Sequence, residues 1–141
     1  MTHTSVTGFT RSAEQAQQWV NELSRDLGWN EPNAYRLLKS VLHTVRDWLS
    51  PEEMADLSAQ LPTLIRGIYF EGWKPDTPTW ERTKHDFVIS VRNGFGYEPD
   101  VDIDQAITAV FKVLDHHISH GEIVHVRNSM KKSLRNLWPA A

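Results

Sequence analysis

The sequence predicts an all-α protein, a compact bundle of six helices arranged as two pseudo-symmetric three-helix repeats. Three observations carry this prediction. The chain matches itself when displaced by about half its length, apolar residues recur at three- and four-residue steps, and helix-starting and helix-ending residues recur at matching places in the two segments.

A displacement of 69 positions sets Leu38, Val41, Leu42, Val45 and Leu49 on Ile107, Val110, Phe111, Leu114 and Ile118. Ser50 then falls on Ser119, Glu53 on Glu122, Arg66 on Arg135 and Tyr69 on Trp138. Upstream the displacement is 68, and Trp19, Leu23, Gly28 and Trp29 fall on Phe87, Val91, Gly96 and Tyr97. A single-residue indel reconciles the two registers. The repeat halves are about 10–73 and 79–138, joined by the Gly/Pro-containing linker 71–78. Each half is near the lower size limit for independent stability, so the halves are expected to share one core and residues 1–141 to form a single domain.

In the first half, Ser12 with Gln15 reads as a capping box, followed by the apolar stripe Ala13, Ala16, Trp19, Val20, Leu23 and Leu27. Gly28 is placed to end this helix in the left-handed conformation. Asn30 can cap the second helix, whose inward face is Ala34, Leu37, Leu38, Val41, Leu42, Val45 and Leu49. Ser50-Pro51-Glu52-Glu53 combines a capping hydroxyl, a proline at the first helical position and a glutamate that reaches back. The third helix carries Met54, Leu57, Leu61, Leu64, Ile65 and Ile68 inward, with a bend expected at Pro62. In the second half, Phe87-Val88-Ile89-Ser90-Val91 alone resembles a strand, but its match to the helix around Trp19 predicts a helix. Asp102 with Gln105, and Ser119 with Glu122, can cap the fifth and sixth helices.

The stretch Ala34–Trp73 contains Leu49, Glu52, Glu53 and Ala55, followed by the pattern L-x-x-Q-L-P-x-x-x-R-G-x-Y-x-x-G-W. That pattern is filled by Leu57, Gln60, Leu61, Pro62, Arg66, Gly67, Tyr69, Gly72 and Trp73. In these residues the chain resembles the bacterial family called domain of unknown function 2267. The resemblance implies an all-helical, duplicated, soluble bacterial protein, and it carries over no catalytic residues.

Composition narrows the function. With 40% hydrophobic and 23% charged residues the chain can bury a core. A net charge of −3 argues against general nucleic-acid binding. The absence of cysteine excludes disulfides, thiolate metal sites and cysteine nucleophiles. No apolar run approaches the roughly 20 residues of a membrane span, and the polar Met1–Thr7 start is not a signal peptide, so a soluble cytoplasmic protein with no membrane partner is expected.

Three constellations could carry chemistry. Asp115, His116, His117, His120 and His125 cluster within a few positions and form a candidate transition-metal or pH-sensitive site, although a helix start at Ser119 separates His116 from His120. Arg66, Tyr69, Phe70, Trp73 and Trp80 form an aromatic group around the linker, suited to a binding face or to sealing the junction of the halves. Arg127, Lys131, Lys132 and Arg135 make a basic stripe that reads as a solvated face. Nucleotide-binding, nucleophile-elbow and metalloprotease motifs are absent from the sequence. Glu52 and Glu53 are better explained as capping residues than as a catalytic pair. The expectation is a non-enzymatic binding or interaction module that engages an unidentified protein or a second copy of itself. The alternative is a metal- or pH-responsive protein using the turn 115–125.

Overall fold

A computed structural model describes residues 6–75, 83–96, 100–129 and 138, and the described residues fold as seven α-helices with no strand. These are α1 (Thr7–Leu27), α2 (Glu31–Trp48), α3 (Pro51–Ala59), α4 (Thr63–Phe70), α5 (Lys84–Phe95), α6 (Ile103–His117) and α7 (His120–Ser129). The helix rather than the strand forms over Phe87–Val91, because Phe87, Val91 and Phe95 fall on one face and are buried there. Its start is fixed by a full capping box between Thr83 and Asp86.

Several ends follow the local chemistry of the chain. Gly28 closes α1 at φ 67°, Asn30 Oδ1 accepts from Asn33 N–H, and Ser50 Oγ accepts from Glu53 N–H. Asp102 accepts from Gln105 N–H, and Ser119 Oγ accepts from Glu122 N–H. Ser12 departs from its expected role. It lies inside α1, which starts at Thr7 behind Val6 and has no side-chain cap.

The six-helix count is corrected at Pro62. Proline has no N–H and its ring collides with the carbonyl four residues back, so the expected bent helix is cut into α3 and α4. Arg66 adds side-chain donors to that end, where Ser58 O already accepts from Leu61 N–H. It donates from Nε to Ser58 O (2.8 Å) and from Nη2 to Leu61 O (3.0 Å). The cut also rotates Leu64 outward to 43% exposure, whereas Leu57, Leu61 and Ile65 stay buried.

One continuous apolar cluster runs through the molecule, from Trp19 and Leu23 through Leu38, Val41 and Leu42 to Phe87, Ile107 and Val110. α2 is its axis and packs on α1, α4, α5 and α6. The most extensive packing joins α2 to α5, two helices far apart in the sequence, and α1 packs likewise on α6. The α2–α5 crossing is close. Ser40 Oγ donates to Val91 O at 2.7 Å, and a methyl at Gly94 would collide with that hydroxyl. Paired rings line both crossings: Trp19 stacks on His117 (4.9 Å, 19°), and Trp48 meets Phe87 edge-on (5.2 Å, 85°).

Candidate functional site

The α1–α6 crossing gathers a carboxylate and two imidazoles. Glu22 stands three residues after the buried Trp19 on α1, and His116 and His117 form the last turn of α6. Their packing brings Glu22 Oε1 to 2.6 Å from His116 Nδ1, while Glu22 Oε2 meets His117 Nε2. One potential ligand atom from each residue lies within 4.8 Å of the other two. Burial alone would raise the Glu22 carboxyl, but the hydrogen bonds and charges of His116 and His117 outweigh it and hold the group below its ordinary value. Trp19 fixes the His117 ring by stacking, while His116 is mostly exposed. A shallow cavity of about 380 Å³ lined by Glu22, Arg25, Asp26, Lys112 and Val113 opens beside the cluster.

The remaining residues of the histidine turn lie elsewhere. Asp115 points away from the cluster and accepts from Trp138 Nε1 (2.8 Å). Burial pushes its carboxyl up against the pull of that hydrogen bond. His120 opens α7 and is exposed, and His125 lies 3.9 Å from Asp56 of α3. Glu22 is absent from the sequence expectation because 94 residues separate it from His116. Its one local signal is its place at the border of the Trp19–Leu23 stripe.

The aromatic group divides into structural and exposed members. Tyr69 is fully buried, donates its hydroxyl to Met54 O (3.1 Å) and packs edge-on against Phe70. Trp73 is 39% exposed and leans on Phe70 (6.1 Å, 65°). Trp80 lies outside the described residues. A residue the sequence reading passed over ties down the start of the linker. Arg46, 5% exposed, donates from Nη1 to Tyr69 O (2.9 Å) and Glu71 O (2.8 Å), and its other donors pair with Asp47. The signal was present, since Arg46 follows Leu42 by four residues and precedes Leu49 by three, inside the apolar stripe. Of the basic stripe, Arg127 donates from Nε to Trp138 O (3.1 Å), and Lys131, Lys132 and Arg135 lie outside the described residues.

On another face, α1, α4 and the start of α2 enclose an open groove of about 610 Å³. Ala13, Val20, Tyr35, Leu64 and Ile68 give it an apolar lining, and Glu31 and Glu71 stand at its rim. Phe9, 68% exposed, continues the Ala13–Val20 face one turn earlier.

Among the described residues the architecture is an all-α helical fold that carries a carboxylate–imidazole cluster at the α1–α6 crossing and an apolar groove between α1, α2 and α4. No helix among the described residues is long and apolar enough to cross a membrane. The chain belongs to the DUF2267 family, described as an uncharacterized conserved protein, whose model matches residues 16–137. No curated protein matches the sequence.

Proposed function

We propose that this protein is a duplicated three-helix unit that works as a non-enzymatic binding module in the cytoplasm, taking an apolar helical segment of a partner chain. The observation that carries the reading is the groove between α1, α2 and α4. Of the large apolar side chains exposed to solvent, Leu64 lines it, and Phe9 stands one helical turn before Ala13, which also lines it. Exposed apolar surface gathered in a groove, rather than scattered, marks an interaction site. Of the two carboxylates at its rim, Glu71 is paired with Lys39, which leaves Glu31 to favour a segment with a basic flank.

The duplication is supported by the crossings. In the repeat register Trp19 corresponds to Phe87 and Trp48 to His117, so the Trp19–His117 and Trp48–Phe87 pairs occupy corresponding places, one stacked and the other edge-on. The α2–α5 and α1–α6 packings correspond in the same way.

A photo-crosslinking residue at position 64, introduced in cells of the source organism, tests the groove. The expected result is one discrete protein adduct, lost in a Phe9→Glu variant that melts like wild type. Phe9 is already mostly exposed, so the change should cost under about 0.5 kcal/mol. An adduct untouched by Phe9→Glu, or none at all, overturns the groove as the binding face.

A further inference from the structure

We infer that Glu22, His116 and His117 form a site for a borderline-soft divalent transition metal, of the zinc, nickel or copper class, bridging α1 and α6. The inference stands independently of the groove, which lies on other helices. Two imidazoles and one carboxylate are the donor set these ions prefer. Magnesium and calcium instead call for more oxygen ligands than this cluster offers.

The geometry is close to what binding needs. Donors at roughly 2.0–2.2 Å from a tetrahedral ion lie about 3.5 Å apart. Here the three donor atoms fall within 4.8 Å of one another, and Glu22 already faces both rings. A small opening of the Glu22 contacts admits the ion. The ion then takes the place of the protons shared between carboxylate and rings: a neutral ring carries its proton on the other nitrogen, and a charged ring gives one up to solvent. Three protein ligands leave the remaining position to water, on the side where His116 is 68% exposed. The surroundings support the cluster. Trp19 holds the His117 ring in place, and the Arg25 and Lys112 cations of the adjoining cavity share it with the Asp26 carboxylate.

Among the described residues the donor set is particular to the α1–α6 crossing. In the proposed repeat register Glu22, His116 and His117 correspond to Ser90, Asp47 and Trp48, and at that second crossing the Trp48–Phe87 contact supplies the packing. Bound metal would clasp a helix of the first half to a helix of the second and stabilise the fold by mass action.

The full chain is titrated with zinc, nickel and copper chlorides by calorimetry, with magnesium chloride as the control. The expected result is one ion per chain for at least one transition metal and no heat with magnesium. His116→Ala, at an exposed position, should remain folded in chelator with a modest loss from the Glu22 hydrogen bond, yet bind at least tenfold more weakly. Glu22→Gln should weaken binding similarly, whereas His120→Ala and His125→Ala should leave it unchanged. A second readout is intrinsic fluorescence, in which copper at His117 should quench the stacked Trp19 and the His116→Ala protein should resist quenching. The proposal is overturned by absence of binding for all three metals. It is equally overturned if binding survives His116→Ala and Glu22→Gln, or depends on His120 or His125.

Discussion

Two arginines show how single residues complete what the helices leave open. The sequence groups Arg66 with the linker aromatics, yet it braces the end of α3 by donating to Ser58 and Leu61 carbonyls. Arg46 does the corresponding work at the end of α4, where Tyr69 and Glu71 carbonyls converge on it. Removing a buried, charged donor strands its acceptors, so Arg46→Met should cost about 3 kcal/mol. Trp73→Ala, which removes a ring already 39% exposed, should cost only about 1 kcal/mol. Denaturant melts of the two variants side by side check this order, and a larger loss at Trp73 would move the anchor of the linker from Arg46 to the aromatic group. Asp115 offers a subtler case. Its carboxylate is held in a partly buried place by the Trp138 indole, and burial raises its pKa. An amide keeps the hydrogen bond without a buried charge. Asp115→Asn should therefore be at least as stable as wild type near pH 7, and the difference should shrink as the pH falls through the raised value and vanish below the ordinary 3.8.

Between helices, the caps and the close crossing decide the geometry. Ser50 and Ser119 both cap through their hydroxyls, at 3.2 and 3.4 Å. Ser50→Ala and Ser119→Ala should each cost about 1 kcal/mol, and aspartate at either position should be nearly neutral. Thermal melts of the four variants read this directly, and a response at only one serine would argue against the repeat register at that turn. The α2–α5 crossing rests on the absence of a side chain. A methyl at Gly94 meets the buried Ser40 hydroxyl, so Gly94→Ala should lose about 1–3 kcal/mol, although alanine favours helix over glycine. Gly94→Ala combined with Ser40→Ala should recover part of that loss, since the colliding oxygen is then gone. No recovery would place the strain elsewhere. Pro62 shows why periodicity alone misjudged α3 and α4. The apolar spacing continues across the proline, but the backbone hydrogen-bond ladder cannot.

For the molecule as a whole, His43 couples stability to pH. It lies half-buried against α4, with Nε2 donating to Ile68 O at 2.7 Å. Burial depresses its pKa below the ordinary 6.5, opposed by the Ile68 carbonyl and assisted by the charges of Arg46 and Lys39. The unfolded chain therefore takes up the proton first as the pH falls. The stability from neutral His43 is complete above pH 6.5 and is lost as the pH drops through the depressed value. Urea midpoints taken from pH 8 downward should fall below 6.5, and His43→Gln should flatten that decline; an equally steep decline in the variant would assign it to other groups.

The sequence by itself determined the all-helical class, most of the helix boundaries and the inward faces of α1, α2 and α6. These are local matters, set by residues three or four apart and by caps such as Asn30, Ser50 and Asp102. It also placed the histidines of the turn beside one another, but proximity along a helix scatters side chains by about 100° per residue. The tertiary structure alone decided that His116 and His117 meet Glu22 while Asp115 faces Trp138. It alone turned Leu64 outward into the groove and set a buried arginine under the linker. The physical reason is the same in each case. Which polar groups meet depends on how helices distant in the sequence cross, and the crossing is fixed by the packing of both apolar faces, such as Trp19 against His117 and Gly94 against Ser40.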